Sequence, residues 1–163
     1  MSIRSAVPTD IPALLPMVTK ICILYESWDS AKFNFILDPE KRYERFLKQL
    51  ITDERGVFFV AEDEDQLVGF LIATVESETP IYILEEFAFI HDLWVEPEYR
   101  RKGIARDMIM QAVEHFRQIG IEQIRLDTAA VNQPARRLFA SCGFRISTVE
   151  MLKELDQLVE ESK

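Results

Sequence analysis

Glycine and cysteine are scarce in this 163-residue chain, which has five Gly, two Cys and only two His. So little glycine excludes collagen-like repetition. Two cysteines, Cys22 and Cys142, far apart and without CxxC spacing, exclude a disulfide-stapled miniature, and no metal site is expected. The opening residues, MSIRSAVPTD, hold no apolar secretory core, so a cytoplasmic, thiol-reduced protein is expected. Long apolar runs are missing as well. VFFVA and GFLIATV fall far short of the ~20 residues that span a bilayer, so no membrane partner is expected. Positive charge is the last shortage: 19 Lys plus Arg stand against 28 Asp plus Glu, a formal charge of −9. That balance argues against nucleic-acid and anionic-membrane partners, because phosphate-rich surfaces demand net or strongly patched positive charge. An acidic chain favours neutral or cationic partners.

What is present suits one globular domain. The chain is 48% hydrophobic and 29% charged, and no repeat, low-complexity stretch or linker divides it, so residues 1–163 read as a single unit. A chain this long buries roughly 70% of its unfolded surface, enough for one core and a ligand cleft.

Periodicity orders the elements. Residues 2–7 alternate, and behind Asp10 the residues Ile11, Leu14, Leu15, Val18, Cys22 and Tyr25 recur at helical spacing, with a bend expected at Pro16. Asp38 and Pro39 form an N-cap and first-turn signal for a second helix carrying Tyr43, Phe46, Leu47, Leu50 and Ile51, ending near Thr52. Residues 57–61 and 67–75 read as a hairpin around EDEDQ, with a third long run over 81–95. Ala105, Met108, Ile109, Ala112, Val113, Phe116 and Ile119 form a helical stripe that stops at Gly120, and residues 121–128 alternate as a strand. Strand, helix and strand in this order predict a βαβ unit with parallel pairing. Asn132 caps a further helix, with Pro134 in its first turn and Gly143 past its end. Residues 144–155 can be read as a strand, while Met151, Leu155, Leu158 and Val159 also fit a helix.

The junction VEPEYRRKGIARDM opens a helix directly after a strand. The first N–H groups of a helix lack internal partners, and the helix dipole adds roughly half a positive charge there. A phosphate suits such a place, with Gly103 and Ala105 letting the backbone approach and Arg100, Arg101 and Lys102 beside it. The plainer alternative is that Gly103 eases a turn and the basic run is solvated. The spacing is neither GxxxxGK[ST] nor GxGxxG.

R-x-x-G-x-A after a strand resembles the pyrophosphate loop of the GCN5-related N-acetyltransferases, [QR]-x-x-G-x-[GA], with Arg100, Gly103 and Ala105 in register. Leu93, Trp94 and Val95 resemble the family strand that holds the pantetheine arm. Asn132, Ala135 and Cys142-Gly143-Phe144 resemble its second motif, N-x-x-A-x-x-x-Y followed by GF. The order of the upstream elements is also the family's. The resemblance implies an α/β fold, a mixed twisted sheet flanked by helices around a central βαβ coenzyme unit. It implies acetyl-CoA as acyl donor, bound by residues 93–95, by Arg100, Arg101, Lys102, Gly103, Ile104 and Ala105, and by Asn132. It further implies direct acyl transfer to an amine, with a backbone N–H near residues 93–95 polarising the carbonyl. Within the family the stretch FIHDLWV is nearest to the polyamine and diamine branch, where an acidic residue fills the place of His91 and an Asp follows.

His91 is the candidate for proton removal and Asp92 for holding the substrate amine; their alternatives are a hydrogen-bonded His and a structural Asp. Strand alternation puts His91 with Phe89 and Leu93 on one face and Asp92 on the other, unless a bulge intervenes. His115 reads as surface. Phe139 departs from the family Tyr, whose hydroxyl would serve the leaving thiolate. Tyr25, Glu26, Trp28 and Asp29, between the first two helices, are the candidate acceptor wall, through cation–π and ion-pair contacts. The expected activity is acetyl transfer to a primary amine of a small, cationic molecule. The alternatives are a protein N-terminal or lysine acetyltransferase and a non-catalytic acyl-CoA sensor. A homodimer is a further expectation of the resemblance, with residues 151–159 as interface or as cover for the sheet.

Overall fold

In the computed structural model, residues 1–155 are described. Strand β1 (Ser2–Ser5) leads through a 3₁₀ turn into helix α1 (Ile11–Trp28), followed by α2 (Pro39–Leu50). A meander follows, β2 (Val57–Asp63), β3 (Gln66–Ser77) and β4 (Glu86–Val95), then α3 (Ile104–Gln118), β5 (Ile124–Leu126) and α4 (Gln133–Ser141). The strands lie in sequence order in one sheet, antiparallel except for the β4–β5 pair, which is parallel. The α/β fold and its central β4–α3–β5 unit are therefore as the residue pattern implied.

Alternation along the strands builds two cores. Val57, Leu71, Ala73, Ala88 and Ile90 point to one face and bury Met108, Ile109, Ala112 and Phe116 of α3 together with Phe139 of α4. Phe58, Val60, Phe70, Ile72 and Trp94 point to the other and bury Ile11, Leu14 and Val18 of α1 with Leu47 of α2. Arg4 of β1 clamps the start of α1, donating to both carboxylate oxygens of Asp10 at 2.8 and 3.0 Å. Asp10 also accepts from the Val7 N–H at 2.8 Å, so its carboxylate serves the entry turn and not the helix. Glu64 and Asp65 supply the two positive φ angles, 48° and 64°, that a two-residue hairpin turn requires.

Three expectations are corrected. The third strand starts at Glu86, because Ile81, Tyr82 and Ile83 lie exposed in the preceding loop. Asp38 stands at the N-cap of α2 but at φ 51°, where its side chain makes no cap bond and instead pairs with Lys41. Residues 144–155 are neither strand nor helix, and Ile146, Val149, Met151 and Leu155 are exposed. Residues 156–159 of the stretch expected to cover the sheet or form an interface lie outside the described residues. α1 is one continuous helix through Pro16, whose ring is exposed.

β3 and β4 approach closely at Gly69. A Cβ there would lie 2.6 Å from the Trp94 carbonyl oxygen and 3.3 Å from the Val95 Cα, so it meets the backbone of β4, which cannot swing aside as a flexible side chain could. Gly69→Ala is expected to destabilise the chain by about 1–3 kcal/mol, the usual cost of overpacking. Chemical denaturation monitored by the two Trp residues measures this, and an unchanged midpoint would refute the close approach.

Candidate active site

The β3–β4 ladder pairs Ala73 with Ile90 but Ile72 with Asp92, so His91 is an extra residue in β4. A bulge of this kind turns the following residues over. Leu93 and Val95 pack with the α3 layer, and Trp94 packs with the α1–α2 layer. His91 and Asp92, adjacent in sequence, both meet α2: the His91 ring lies 5.8 Å from Phe46, and Asp92 accepts from the Tyr43 hydroxyl. The unbulged expectation, with His91 and Leu93 sharing a face opposite Asp92, is thus replaced.

The surroundings of Asp92 are poor in compensating charge. Burial pushes its carboxyl above the ordinary range, opposed by the hydrogen bond from Tyr43 and by the nearby His91. Burial, with the Asp92 charge adding to it, pushes the Tyr25 hydroxyl up to about 12 and the Cys22 thiol up to about 11. The Tyr43 hydroxyl is raised for the same two reasons. Among the described residues no Lys or Arg pairs with Asp92. The site therefore presents one half-buried carboxylate among neutral phenols and a thiol, an arrangement able to hold an incoming cation.

On its other side β4 is bare for half its length. Parallel β5 pairs only with Ala88, Phe89 and Ile90, and among the described residues no strand continues beside residues 91–95. The bare edge leads into the basic loop. Arg100 folds back there, its guanidinium 4.7 Å above the Trp94 ring and its Nε donating to the Val95 carbonyl at 2.8 Å. Arg100 thus fixes the loop to the strand end, whereas Arg101, at φ 61°, and Lys102, 4.9 Å over Tyr99, are exposed. Gly103 is the N-cap of α3 at φ 86°, and no side chain caps the helix. The first helical bond comes from the Asp107 N–H to the Gly103 carbonyl at 2.9 Å, which leaves the N–H groups of Ile104, Ala105 and Arg106 without helical acceptors. A Cβ on Gly103 would meet nothing nearer than the Asp107 carboxylate at 4.0 Å, so the approach to this helix start is open. Such a junction fits a diphosphate.

The acetyltransferase (GNAT) family pattern matches residues 23–144. The chain belongs to this family. A GNAT relative, the uncharacterized N-acetyltransferase YycN of Bacillus subtilis, is 34% identical over 106 residues, 65% of either chain. Human N-acetyltransferase 8 is 29% identical over 98 residues, 60% of this chain and 42% of that one. The chain thus spans less than two thirds of these two relatives. A predicted acetyltransferase of Clostridium acetobutylicum, solved with acetyl-CoA, shares the fold at a TM-score of 0.72, with 23% identity and 99% of both chains covered. Acetyl-CoA is the acyl donor of GNAT acetyltransferases.

Against the GNAT motifs, the expected residues divide. Asn132 caps α4, its Oδ1 accepting from the Ala135 N–H at 3.3 Å. Ile104 is buried, so only its backbone is available to a ligand. Phe139 is buried against Phe144, 5.4 Å between ring centres, and a core contact occupies the place of the family Tyr. Of the acceptor wall, Tyr25 stands by Asp92, stacked on Trp28 at 5.5 Å. Glu26, Trp28 and Asp29 line a separate open hollow of about 540 Å³, shared with Glu154. The Asp29 carboxylate accepts from the N–H groups of Ala31 and Lys32, a local turn contact. His115 is half-buried, its Nε2 3.0 Å from the Arg55 carbonyl. The residues that sequence reasoning missed are Tyr43 and Phe46, which merged into an apolar helix stripe, and Thr74 and Glu76. The only signal for the latter pair was one polar alternation closing an apolar strand. No helix among the described residues is long and apolar enough to cross a membrane.

Asp92 yields a test of the site's electrostatics. Its carboxyl is raised in the folded chain, so the folded state prefers the neutral form, and stability falls as pH rises from the unfolded value through the folded one. Asp92→Asn removes that penalty while its carbonyl still accepts from Tyr43. Thermal unfolding at pH 8 is expected to shift up by a few degrees relative to the unsubstituted chain, and the difference to shrink at low pH, where Asp92 is neutral. A drop in stability at pH 8 would show that the carboxylate is needed for structure.

Proposed function

We propose that this protein transfers the acetyl group of acetyl-CoA directly to a primary amine of a small, cationic molecule. The observation that carries the reading is the β4 bulge, which sets an imidazole and a desolvated carboxylate side by side, next to the strand edge left bare by β5. Acetyl-CoA, when bound, supplies an activated thioester. The helix N–H groups behind Gly103, with Arg101 and Lys102, are suited to its diphosphate, and the bare edge at residues 93–95 to its amide arm. Asp92 holds the positive charge of the acceptor, aided by the faces of Tyr25 and Tyr43. His91 takes the proton that the amine sheds as it becomes nucleophilic, a contribution of about 10²–10⁴ in rate. Asp92 directly after the proton acceptor is also the feature shared with the polyamine branch, and it supports a cationic acceptor.

One residue favours a second reading, a module that binds acyl-CoA without turning it over. Phe139 has no hydroxyl to offer a leaving thiolate, and in this fold its ring is committed to the core.

A thiol-release assay with acetyl-CoA and a panel of polyamines, amino acids, aminoglycosides and peptides separates the two. Turnover on a polyamine or another small amine, falling about 10²-fold or more in His91→Ala, is the expected outcome. Coenzyme binding with no turnover on any acceptor would overturn it in favour of the sensor, and turnover on peptides alone would move the acceptor to protein amines. Gly103→Arg is expected to weaken calorimetric binding of coenzyme A at least about tenfold, since the side chain fills the anion space and φ 86° strains any non-glycine residue. Unchanged affinity would remove the loop from the cofactor site.

A further inference from the structure

Thr74 is buried in β3 and touches two groups that differ in what they can do. Its Oγ1 lies 2.5 Å from Glu76 Oε1 and 2.6 Å from His91 Nε2. An ionised carboxylate only accepts, so the single hydroxyl proton of Thr74 goes to Glu76. The Thr74 oxygen then has only lone pairs left for His91. Nε2 must be the donor, and in a neutral imidazole the other nitrogen, Nδ1, keeps its lone pair. Glu76 Oε1, 3.5 Å from Nε2, adds attraction for the same proton. Nδ1 has no hydrogen-bond partner among the described residues and is not sealed from solvent. Ordinary alternation explains why the three groups meet: Thr74 and Glu76 lie on the α1–α2 face of β3, and His91 follows Phe89, the partner of Thr74, onto the same face of β4, the two rings 5.2 Å apart.

We propose that Thr74 and Glu76 are positioning residues that hold His91 in the Nε2–H tautomer, leaving Nδ1 as the atom that takes the acceptor's proton. This rests on the reading of His91 as the proton acceptor. In the step, the amine N–H bond breaks, its electron pair stays on nitrogen for the new bond to the acetyl carbon, the carbon–sulfur bond of the thioester breaks with its electron pair leaving on the coenzyme A thiolate, and the proton moves to the Nδ1 lone pair. The imidazolium that forms keeps its Nε2–H on Thr74 beside the Glu76 carboxylate and later returns the Nδ1 proton to solvent.

The tautomer is measurable without turnover. The chain has only His91 and His115, so a His115→Gln background labelled with ¹⁵N-histidine reports on His91 alone at about pH 9, above the ordinary imidazole range. The expected spectrum shows a protonated Nε2 and an unprotonated Nδ1, with the favoured tautomer in about tenfold excess, the worth of one charge-linked hydrogen bond. Glu76→Gln, which can donate as well as accept, and Thr74→Val, which can do neither, are each expected to reduce the excess to below about threefold. Thr74→Ser is expected to restore it, which separates loss of the hydroxyl from a packing defect. An unbiased mixture or the opposite tautomer in the parent chain, or a bias that survives both substitutions, would overturn the proposal. If the bias appears as expected while His91→Ala leaves turnover untouched, the orienting pair stands and the reading of His91 as proton acceptor falls.

Discussion

Neighbouring residues of a β-strand point to opposite faces, and in β4 the neighbours His91 and Asp92 do not. One extra residue against Ile72 and Ala73 is responsible, and much of the site follows from it. Before the bulge, Ala88 and Ile90 feed the α3 core; after it, Leu93 and Val95 do, while Asp92 and Trp94 turn to the α1–α2 layer. A regular strand would have split the imidazole from the carboxylate. His91 reaches Thr74 and Glu76 of β3 by ordinary alternation from Phe89, and the slip adds Asp92 to the same side of the sheet.

The charges are partitioned by the two ends of this strand. Past Val95 the chain is basic, yet its three cations are not equivalent, because Arg100 is held between the Trp94 ring and the Val95 carbonyl. Its role is to fix the turn that delivers Arg101 and Gly103, both left-handed, to the open start of α3. At the bulge the sign reverses. Asp92 sits where desolvation opposes its charge, and its phenolic neighbours share the polarity without neutralising it. A net charge of −9 therefore coexists with an uncapped helix start flanked by cations, since the basic loop and the buried carboxylate lie at different points along one strand.

Helices and the hairpin were legible because their signals are local: the periodic stripe of α3, the Asn132 cap and the acidic turn at residues 62–66 each involve residues close in sequence. The helix start at Gly103 was legible for the same reason. The bulge was not, because it is a property of two strands in register, and FIHDLWV carries no mark of which residue loses its partner. Tyr43 and Phe46 were hidden in a stripe that core and site share. The expected acceptor wall divides: Tyr25 stands by Asp92, whereas Glu26 and Trp28 in the last turn of α1, with Asp29 directly after it, line an open hollow. Residues 144–155 could not be assigned from pattern, since their apolar side chains suit a strand yet lie exposed outside any strand or helix.

Phe139 bears on how the family chemistry is divided here. A tyrosine at that place presents a hydroxyl to the coenzyme sulfur in the family pattern, whereas here the ring is buried with Phe144 and closes the core between α4 and the sheet. Position 139 then supplies no proton to the thiolate. Coenzyme A thiolate tolerates this better than an alkoxide would, because a thiol of ordinary pKa leaves without full protonation. The demanding proton transfer is the one from the amine, and the polar side chains on the α1–α2 face of β3 and β4 face that step. A chain with no acid at position 139 can still act as an acyltransferase if the base side is well ordered, and the Thr74–Glu76 contact orders it.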